Sequence, residues 1–217
     1  MTDASAWEQA YQRFETPEQE QRKFIRRLRR LGVQSWSREL RVIEVCSGRG
    51  NGLTAWQRLG FSHVCGVDLS RALVERSLWK AKCVVGDTRD LPIRTASRDI
   101  AIVQGGLHHL LSFGDLRAAL TEIRRVLRPD GRVIIIEPWT TPFLRIVHFV
   151  TERKIARAMS TTLDAFAAMT EEERPTYEAW LDRPAQILDA IRVEFEPLLI
   201  RERWGKLVFL GRPLRRL

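Results

Sequence analysis

Strand-like and helix-like segments alternate along the middle of the 217-residue chain, and this alternation restricts the fold more than any other feature. Short β-rich runs, such as RVIEV at 41–45 and HVCGVD at 63–68, are each followed by a segment with helical spacing of apolar residues. Strands that alternate with helices form right-handed βαβ crossovers, which make the strands parallel and cover both faces of the sheet. We therefore predict an α/β fold with a doubly wound, mainly parallel sheet.

The two ends of the chain depart from this alternation. A helix is predicted from Thr16, because Thr16 and Gln19 have the spacing of a capping box. Two β-like runs near the C-terminus are close enough to form an antiparallel hairpin that closes one edge of the sheet. We predict one domain in four parts: an N-terminal helical segment over 1–40, a core over 41–138, a helical cap over 139–191 and a C-terminal β-hairpin over 192–217.

Composition excludes some classes of protein without identifying a ligand. No run approaches the roughly 20 apolar residues of a membrane-spanning helix, and the N-terminus lacks the pattern of a secretory signal. The three cysteines have no CxxC spacing, so we expect a cytoplasmic protein without disulfides and without a bound metal. The net charge of +9, from 36 basic and 27 acidic residues, favours anionic partners, although a solvated basic face is an equally good interpretation.

Ligands of a doubly wound sheet bind at the carboxyl ends of the strands, so the residues there are the candidates for a site. The first predicted strand carries Glu44 and leads into a turn where Gly48 and Gly50 allow the backbone to approach a ligand. The dinucleotide fingerprint GxGxxG fails because Leu53 stands in place of its third glycine. The second strand ends at Asp68, a carboxylate suited to a ribose diol, with a helix-capping role as the alternative.

Two more strand ends follow in GDTRDLP and DIAIVQGGLHHL, and LRPDGRVIIIEP comes after them. In this order the motifs, over about 41–138, resemble the class I S-adenosylmethionine (SAM)-dependent methyltransferases, most closely the branch with small-molecule and quinone-pathway enzymes. The resemblance implies a Rossmann-like fold, SAM as cofactor, and SAM contacts from the residues at the matching positions. These residues are Glu44, Ser47, Gly48, Gly50, Asp68, Leu69, Asp87, Thr88, Gln104 and Gly105.

The resemblance also implies individual roles for these residues. Glu44 would hold the methionine ammonium, Asp68 the ribose and Asp87 the adenine amino group, with Gln104 beside the methionine. One position departs from the family pattern, because Cys46 stands where the first glycine of the glycine-rich run is usual. We therefore expect the backbone at Cys46 to lie farther from SAM or to turn differently.

Two histidines, His108 and His109, directly follow the fourth strand, where a methyl acceptor is expected to approach. Histidine titrates near neutral pH, so either residue is a candidate base for an acceptor hydroxyl or acidic carbon, and we favour His108. The alternative is that one ring packs against a helix and the other is solvated. For the acceptor pocket, we expect Tyr11 and Trp139 to lie nearest among the aromatic residues outside the motifs.

The acceptor class follows partly from what the sequence lacks. No [ND]PP[YFW] motif follows the fourth strand, which disfavours methylation of a nucleobase or glutamine amide, and no cysteine lies there for cytosine C5 methylation. We predict methyl transfer to oxygen or carbon of a small, partly apolar molecule. The alternatives are an RNA or protein methyltransferase with a basic surface and a non-catalytic SAM-binding protein. Contact of the basic segment at 22–30 with an anionic membrane and the oligomeric state are left open.

Overall fold

The computed structural model describes residues 14–151, 153 and 160–215. Over these residues one seven-stranded sheet has the order β3-β2-β1-β4-β5-β7-β6. The strands are β1 (Val42–Val45), β2 (Val64–Asp68), β3 (Cys83–Val85), β4 (Arg98–Gln104), β5 (Leu127–Pro138), β6 (Phe195–Arg203) and β7 (Lys206–Pro213). The first five pair in parallel, and β7 pairs antiparallel with both β5 and β6. The predicted mainly parallel sheet with a C-terminal antiparallel hairpin is therefore confirmed.

Helices connect the strands and cover both faces of the sheet. The helices are α1 (Pro17–Arg30), α2 (Asn51–Arg58), α3 (Arg71–Arg76), α4 (Phe113–Val126), α5 (Pro142–Thr151), α6 (Thr161–Glu172), α7 (Arg174–Leu181) and α8 (Pro184–Glu194). At the start of α1, the Thr16 hydroxyl accepts from the Gln19 N–H at 3.3 Å, and the Gln19 side chain accepts from the Thr16 N–H at 3.0 Å. These reciprocal bonds satisfy two N–H groups that the helix leaves free, as the sequence pattern predicts.

The core lies on both faces of the sheet because the central strands carry buried apolar side chains on both sides. Along β1 all four residues are buried, and successive side chains alternate between the faces. On one face, Ile43 and Val45 belong to a cluster that includes side chains of α4 and α8. On the other, Val42 packs with Leu28 of α1 and Trp56 of α2. This packing fixes the strand ends relative to one another.

The segment predicted as a cap divides into two parts in the structure. Helix α8 buries Ile187, Ala190 and Ile191 in the cluster that also contains α4, so it covers the sheet. Helices α5, α6 and α7 precede it and pack against one another. The division of the chain into four parts of one domain stays a prediction.

None of the helices in the described part of the chain has both the length and the apolar character needed to cross a bilayer.

Candidate active site

The residues predicted at the strand ends share one edge of the sheet. Glu44 is the third residue of β1, while Asp68 and Gln104 are the last residues of β2 and β4. Asp87 follows the end of β3 by two residues. Because these four strands are adjacent and parallel, their carboxyl ends meet on the same side. The fold therefore brings the predicted side chains to one edge.

The Glu44 carboxylate is buried without enough donors. Its side chain is only 3% exposed, and Oε1 accepts a hydrogen bond from Gln104 Nε2 at 3.3 Å. Oε2 of Glu44 and Oε1 of Gln104 are buried and accept no bond from any described residue. Burial raises the pKa of Glu44 to about 8, although the Gln104 bond opposes the rise. Two such acceptors side by side fit a cationic donor, such as the methionine ammonium of SAM.

The start of α2 lies against the Glu44 carboxylate because the helix has a glycine, Gly52, at the point of contact. A Cβ atom at Gly52 would overlap the Glu44 carboxylate, so any other residue would push the helix away. The backbone N–H of Leu53, one residue later, also lowers the pKa of Glu44. The partial positive charge of the helix N-terminus thus faces the acidic group.

Cys46 has a backbone conformation that usually favours glycine. Its φ is 58°, in the left-handed region, which costs roughly 1 to 2 kcal/mol for a residue with a Cβ. The expectation that the backbone at Cys46 lies farther from SAM or turns differently stays a prediction. The side chain fits because Gly106 has none, since a Cβ at Gly106 would lie 2.6 Å from the Cys46 Sγ. The Sγ contacts the Thr88 hydroxyl at 3.5 Å.

The Cys46 thiol is not a nucleophile in this environment. Burial raises its pKa to about 12, so the thiol stays protonated at neutral pH.

Asp68 joins the second strand to the glycine-rich turn. Its Oδ2 accepts from the Gly48 N–H at 2.7 Å, and its Oδ1 accepts from the Ser70 N–H at 2.9 Å. The following helix is capped instead by Ser70, whose hydroxyl accepts from the Leu73 N–H at 3.3 Å. Gly48 and Gly50 have φ of 51° and 80°, which suits glycine in this tight turn.

Asp87 lies at the edge but is already held by Arg89. Both of its carboxylate oxygens accept from the Arg89 guanidinium, with Nη2 at 2.6 Å from Oδ2. Arg89 also donates to Asp115 at 2.7 Å. The hydrogen bonds from Arg89 lower the pKa of Asp87. An adenine amino group would therefore be an additional donor on a carboxylate that is already charged and oriented.

Three other predicted positions differ in what they offer a ligand. The Ser47 hydroxyl is buried against Gly66 of β2, so the side chain points into the sheet and not toward the edge. Leu69 is 71% exposed, which leaves its apolar surface open for a ring. Gly105 has φ of 69° directly after β4, so the backbone turns there without a side chain in the way.

His108 is fixed by two carboxylates from different parts of the chain. Its Nδ1 lies 2.8 Å from Oε2 of the buried Glu137, whose Oε1 accepts from the N–H groups of Gly106 and Leu107 at 2.9 Å each. Its Nε2 lies 3.4 Å from Glu173 Oε2. Burial alone would lower the pKa of His108, but the bonds to Glu137 and Glu173 outweigh it and raise the pKa. Burial alone would raise the pKa of Glu137, but the bond to His108 and the backbone N–H groups outweigh burial and lower this pKa.

His109 lies beside His108 in a more open position. The two ring centroids are 4.1 Å apart, and 44% of the His109 side chain is exposed. Partial burial and the charge of His108 lower the pKa of His109. With Glu173, the two histidines also form a set of three potential metal ligands, whose ligand atoms all lie within 4.8 Å of one another.

Sequence reasoning missed both carboxylates that contact His108. The sequence contained a signal for Glu137: it is an acidic residue at the end of the apolar run RVIII, and a buried acid needs a partner. Glu173 had none, because it lies between α6 and α7 and only tertiary packing brings it to the edge of the sheet.

Of the two aromatic residues predicted for the acceptor pocket, the structure describes only Trp139. The Trp139 ring is 2% exposed and packs against Trp180 in the core, with centroids 6.4 Å apart. Tyr11 lies outside the described residues. Instead, Tyr177 of α7 has its ring centroid 6.1 Å from that of His108, and its hydroxyl lies 3.2 Å from His148 Nε2.

A cavity of about 570 Å³ lies among α5, α6 and α7, with Tyr177 and His148 in its lining. Its apolar lining includes Leu144, Ala167 and Leu181. Charged side chains such as Arg174 contribute as well. Since Tyr177 contacts both the cavity and His108, the cavity adjoins the candidate base.

Comparison with known proteins connects this site to one enzyme class. A family model described as a methyltransferase domain matches residues 43–135. The demethylmenaquinone methyltransferase of Streptomyces griseus is 28% identical over 185 residues, which cover 81% of this chain and 76% of that protein. The protein of the same name from Corynebacterium kroppenstedtii is 29% identical over 122 residues, or 56% of this chain and 51% of that one. The matches therefore span between about half and three quarters of these relatives.

Solved structures show the same fold at low identity. The PH0226 protein from Pyrococcus horikoshii has a TM-score of 0.66 at 17% identity, over 89% of this chain and 91% of that one. The CurJ carbon methyltransferase has a TM-score of 0.56 at 16% identity, over 82% of this chain and 50% of that one. These similarities confirm the Rossmann-like fold.

The raised pKa of Glu44 predicts that SAM binding depends on pH. Below pH 8 the free carboxyl is mostly protonated, and an ammonium binds its charged form, so binding must release a proton. We expect the affinity for SAM to rise from pH 6 to 7.5, by up to about tenfold per pH unit. Glu44→Gln should bind SAM roughly 10- to 150-fold more weakly at pH 7.5 and lose this dependence, which is the scale of a charge-assisted hydrogen bond.

Isothermal titration in buffers of different ionisation enthalpy measures both the affinity and the proton release. Glu75→Gln, an exposed change on α3 away from Glu44, is the matched control and should behave as wild type. A wild-type affinity that stays constant over this pH range would contradict the assignment of the ammonium to Glu44.

The contact between Cys46 and Gly106 predicts coupled stability effects. Gly106→Ala should lower the free energy of unfolding by about 1 to 3 kcal/mol, because the new methyl group overlaps the Cys46 side chain. In a Cys46→Gly background the same change should cost less, since the space is then free. Urea unfolding of the four proteins of this cycle gives the coupling energy, and Gly114→Ala, where the nearest atom is 3.6 Å away, controls for adding a methyl group. Equal costs in both backgrounds would show that the two side chains do not compete for space.

Proposed function

Because this chain is a class I SAM-dependent methyltransferase, we propose that it transfers the methyl group of SAM to an oxygen or carbon of a small, partly apolar acceptor, with His108 as the base. The observation that carries the proposal is the buried pair of His108 and Glu137 directly after β4. A histidine held in one orientation, beside the strand ends where the family binds SAM, is suited to remove a proton from an acceptor.

We assign the cofactor contacts to the strand-end residues. Glu44 and Gln104 would hold the methionine ammonium, because each presents a buried acceptor atom that has no donor in the part of the chain that the structure describes. Asp68 would bind the ribose, and Asp87 with the exposed Leu69 would border the adenine. When bound, SAM supplies an electrophilic methyl group on a sulfonium centre. The protein then has to orient the acceptor, exclude water and take up the proton.

Glu137 sets which nitrogen of His108 acts. An ionised carboxylate only accepts hydrogen bonds, so Nδ1 must carry the proton that it donates to Oε2 at 2.8 Å. In the neutral ring the lone pair is then on Nε2, which faces Glu173. The two N–H groups on Oε1 of Glu137 hold the carboxylate in place. Proton uptake at Nε2 makes an imidazolium that Glu137 stabilises, in the same way as a carboxylate supports a histidine base in hydrolases.

Glu173 occupies the position that the acceptor has to take. Its Oε2 lies 3.4 Å from His108 Nε2, and this carboxylate helps to keep the ring protonated when no acceptor is bound. An acceptor hydroxyl that reaches Nε2 would displace Glu173, which lies between two helices of the cap region and not in the sheet. Displacement of this anion lowers the pKa of His108 and so prepares it to accept a proton.

A hydroxylated aromatic ring of the quinol type is the acceptor that we propose. The relatives from Streptomyces and Corynebacterium are named for a quinone substrate, demethylmenaquinone. A quinol has acidic hydroxyls. Loss of one hydroxyl proton makes both that oxygen and the ring carbon ortho to it nucleophilic. One base is therefore enough to remove the hydroxyl proton that precedes either product. The cavity beyond Tyr177 has polar and charged lining residues together with the apolar Leu144, Ala167 and Leu181, which suits a ring that carries hydroxyls.

The remaining sequence predictions on partners stay predictions. A small molecule as the acceptor agrees with the quinone-methylating relatives. A contact with nucleic acid is not needed for this reaction, and we propose a cytoplasmic location from the three free cysteines. We assign the proton to His108 and not to His109, because His108 is the one bonded to Glu137.

Removal of the base should leave binding intact and slow methyl transfer. We expect His108→Ala to lower kcat roughly 10²- to 10⁴-fold, with the affinity for SAM changed by no more than about twofold. Transfer of tritiated methyl from SAM to a short-chain demethylmenaquinol, kept reduced with dithionite, measures the rate. A His109→Ala protein that loses as much activity as His108→Ala would move the assignment to His109.

The pH profile separates a base from a structural histidine. The base form of His108 exists above its pKa, which lies above the ordinary value of about 6.5, so kcat/KM should fall as the pH drops through that region. Glu173→Gln removes one carboxylate that raises this pKa, so its acid limb should move to lower pH. An acid limb that stays in place in Glu173→Gln would contradict titration of His108.

A further inference from the structure

Helix α5 and the turn between β6 and β7 expose a set of large apolar side chains. These side chains, Phe143, Ile146, Phe149 and Trp204, are 43%, 62%, 56% and 61% exposed, and we call them the apolar ridge. Phe143 and Trp204 stand edge to face with ring centroids 5.2 Å apart, so the two elements form one surface. Exposed apolar residues that stand singly need no explanation, but a continuous group of this kind marks a contact.

The backbone at the turn adds a second observation. Trp204 has φ of 54° and Gly205 has φ of 70°, the signs that a two-residue type I′ turn requires. Asn and Asp are the usual residues at the first of these positions, and a bulky residue there is strained by about 1 kcal/mol or more. A tryptophan at this turn is thus unfavourable in conformation and in exposure. The Phe143 contact leaves the Trp204 side chain 61% exposed, so part of the ring remains open to a partner outside the chain.

Arginines border the apolar ridge. The guanidinium of Arg153 lies 4.1 Å from the ring centroid of Phe149, and that of Arg203 lies 5.2 Å from the centroid of Trp204. Arg145 is exposed on the same helix. The acidic neighbour Glu202 alternates to the opposite face of β6 from Arg203. An apolar group with cations at its rim, in a chain of net charge +9, is complementary to an anionic surface.

We propose that the apolar ridge docks on an anionic lipid bilayer and inserts its aromatic side chains at the level of the headgroups. Tryptophan and phenylalanine are favoured at that depth, and arginine can keep its apolar stem in the interface while its guanidinium pairs with lipid phosphates. The proposed contact is with the surface of the membrane and does not require a membrane-spanning helix. This agrees with the described residues, where no helix is long and apolar enough to cross a bilayer.

The same helix connects this surface to the candidate site. On its inner side, α5 lines the cavity with Leu144 and His148, and His148 contacts Tyr177 beside His108. A lipid-like acceptor drawn from the bilayer would therefore meet α5 first and the base next. This part of the inference rests on the proposed apolar acceptor, whereas the docking itself rests on exposure, strain and charge.

Sedimentation with vesicles tests the docking without any methyl transfer. Full-length protein should bind vesicles of phosphatidylcholine with one third phosphatidylglycerol, and bind pure phosphatidylcholine more weakly. The Ile146→Ser/Phe149→Ser protein should bind the anionic vesicles at least about tenfold more weakly, on the scale expected for loss of two buried apolar side chains. The matched control is Val193→Ser/Leu198→Ser, two residues 55% and 50% exposed on other elements, which should bind as wild type.

Further measurements keep the outcomes distinct. Urea midpoints of both double variants should equal that of wild type, because the changed side chains are exposed. Light scattering after gel filtration reports whether the ridge joins two copies of the chain. Dissociation of a dimer by Ile146→Ser/Phe149→Ser, or equal vesicle binding by both double variants and wild type, would overturn the membrane proposal. Methyl transfer to a water-soluble quinol should persist in every variant, so failure of the docking is separable from failure of the proposed reaction.

Discussion

The carboxylate of Glu137 connects the end of β5 to the turn after β4, and the geometry around His108 depends on this one group. It is fully buried, yet each oxygen has a donor: two backbone N–H groups on one side and the His108 ring on the other. A buried carboxylate with fewer partners would be protonated or destabilising. Here the bonds orient the ring and fix its tautomer, so a structural requirement of the core also positions the histidine that we propose as the base.

A second buried acid, Glu44, has the opposite character. Burial raises its pKa to about 8. Among the described residues, neither its Oε2 nor the neighbouring amide oxygen of Gln104 has a hydrogen-bond donor. Such a pair is costly in the free protein and becomes favourable when a cation binds. The edge of the sheet thus combines a satisfied acid, which holds the proposed base in place, with an unsatisfied acid, which we propose as a receptor for the cofactor.

The Cys46 position shows how a departure from a family pattern is accommodated. The backbone keeps a left-handed φ of 58°, and the added side chain occupies space beside Gly106, which lies after a different strand. Two residues separated by 60 positions therefore have to be considered together. Local sequence reasoning sees the lost glycine at position 46 but not Gly106, which makes room for the added side chain.

The sequence alone determined the order of strands and helices, the parallel sheet with its terminal hairpin and the edge where Glu44, Asp68 and Gln104 meet, because periodicity and strand direction are local properties. It did not determine that Ser47 points into the sheet, that Trp139 is buried in the core, or that Arg89 already holds Asp87. Glu173 reaches His108 from 65 residues away, across the helices that follow β5. Such contacts follow from how separate elements pack against one another, and only the tertiary structure decides them.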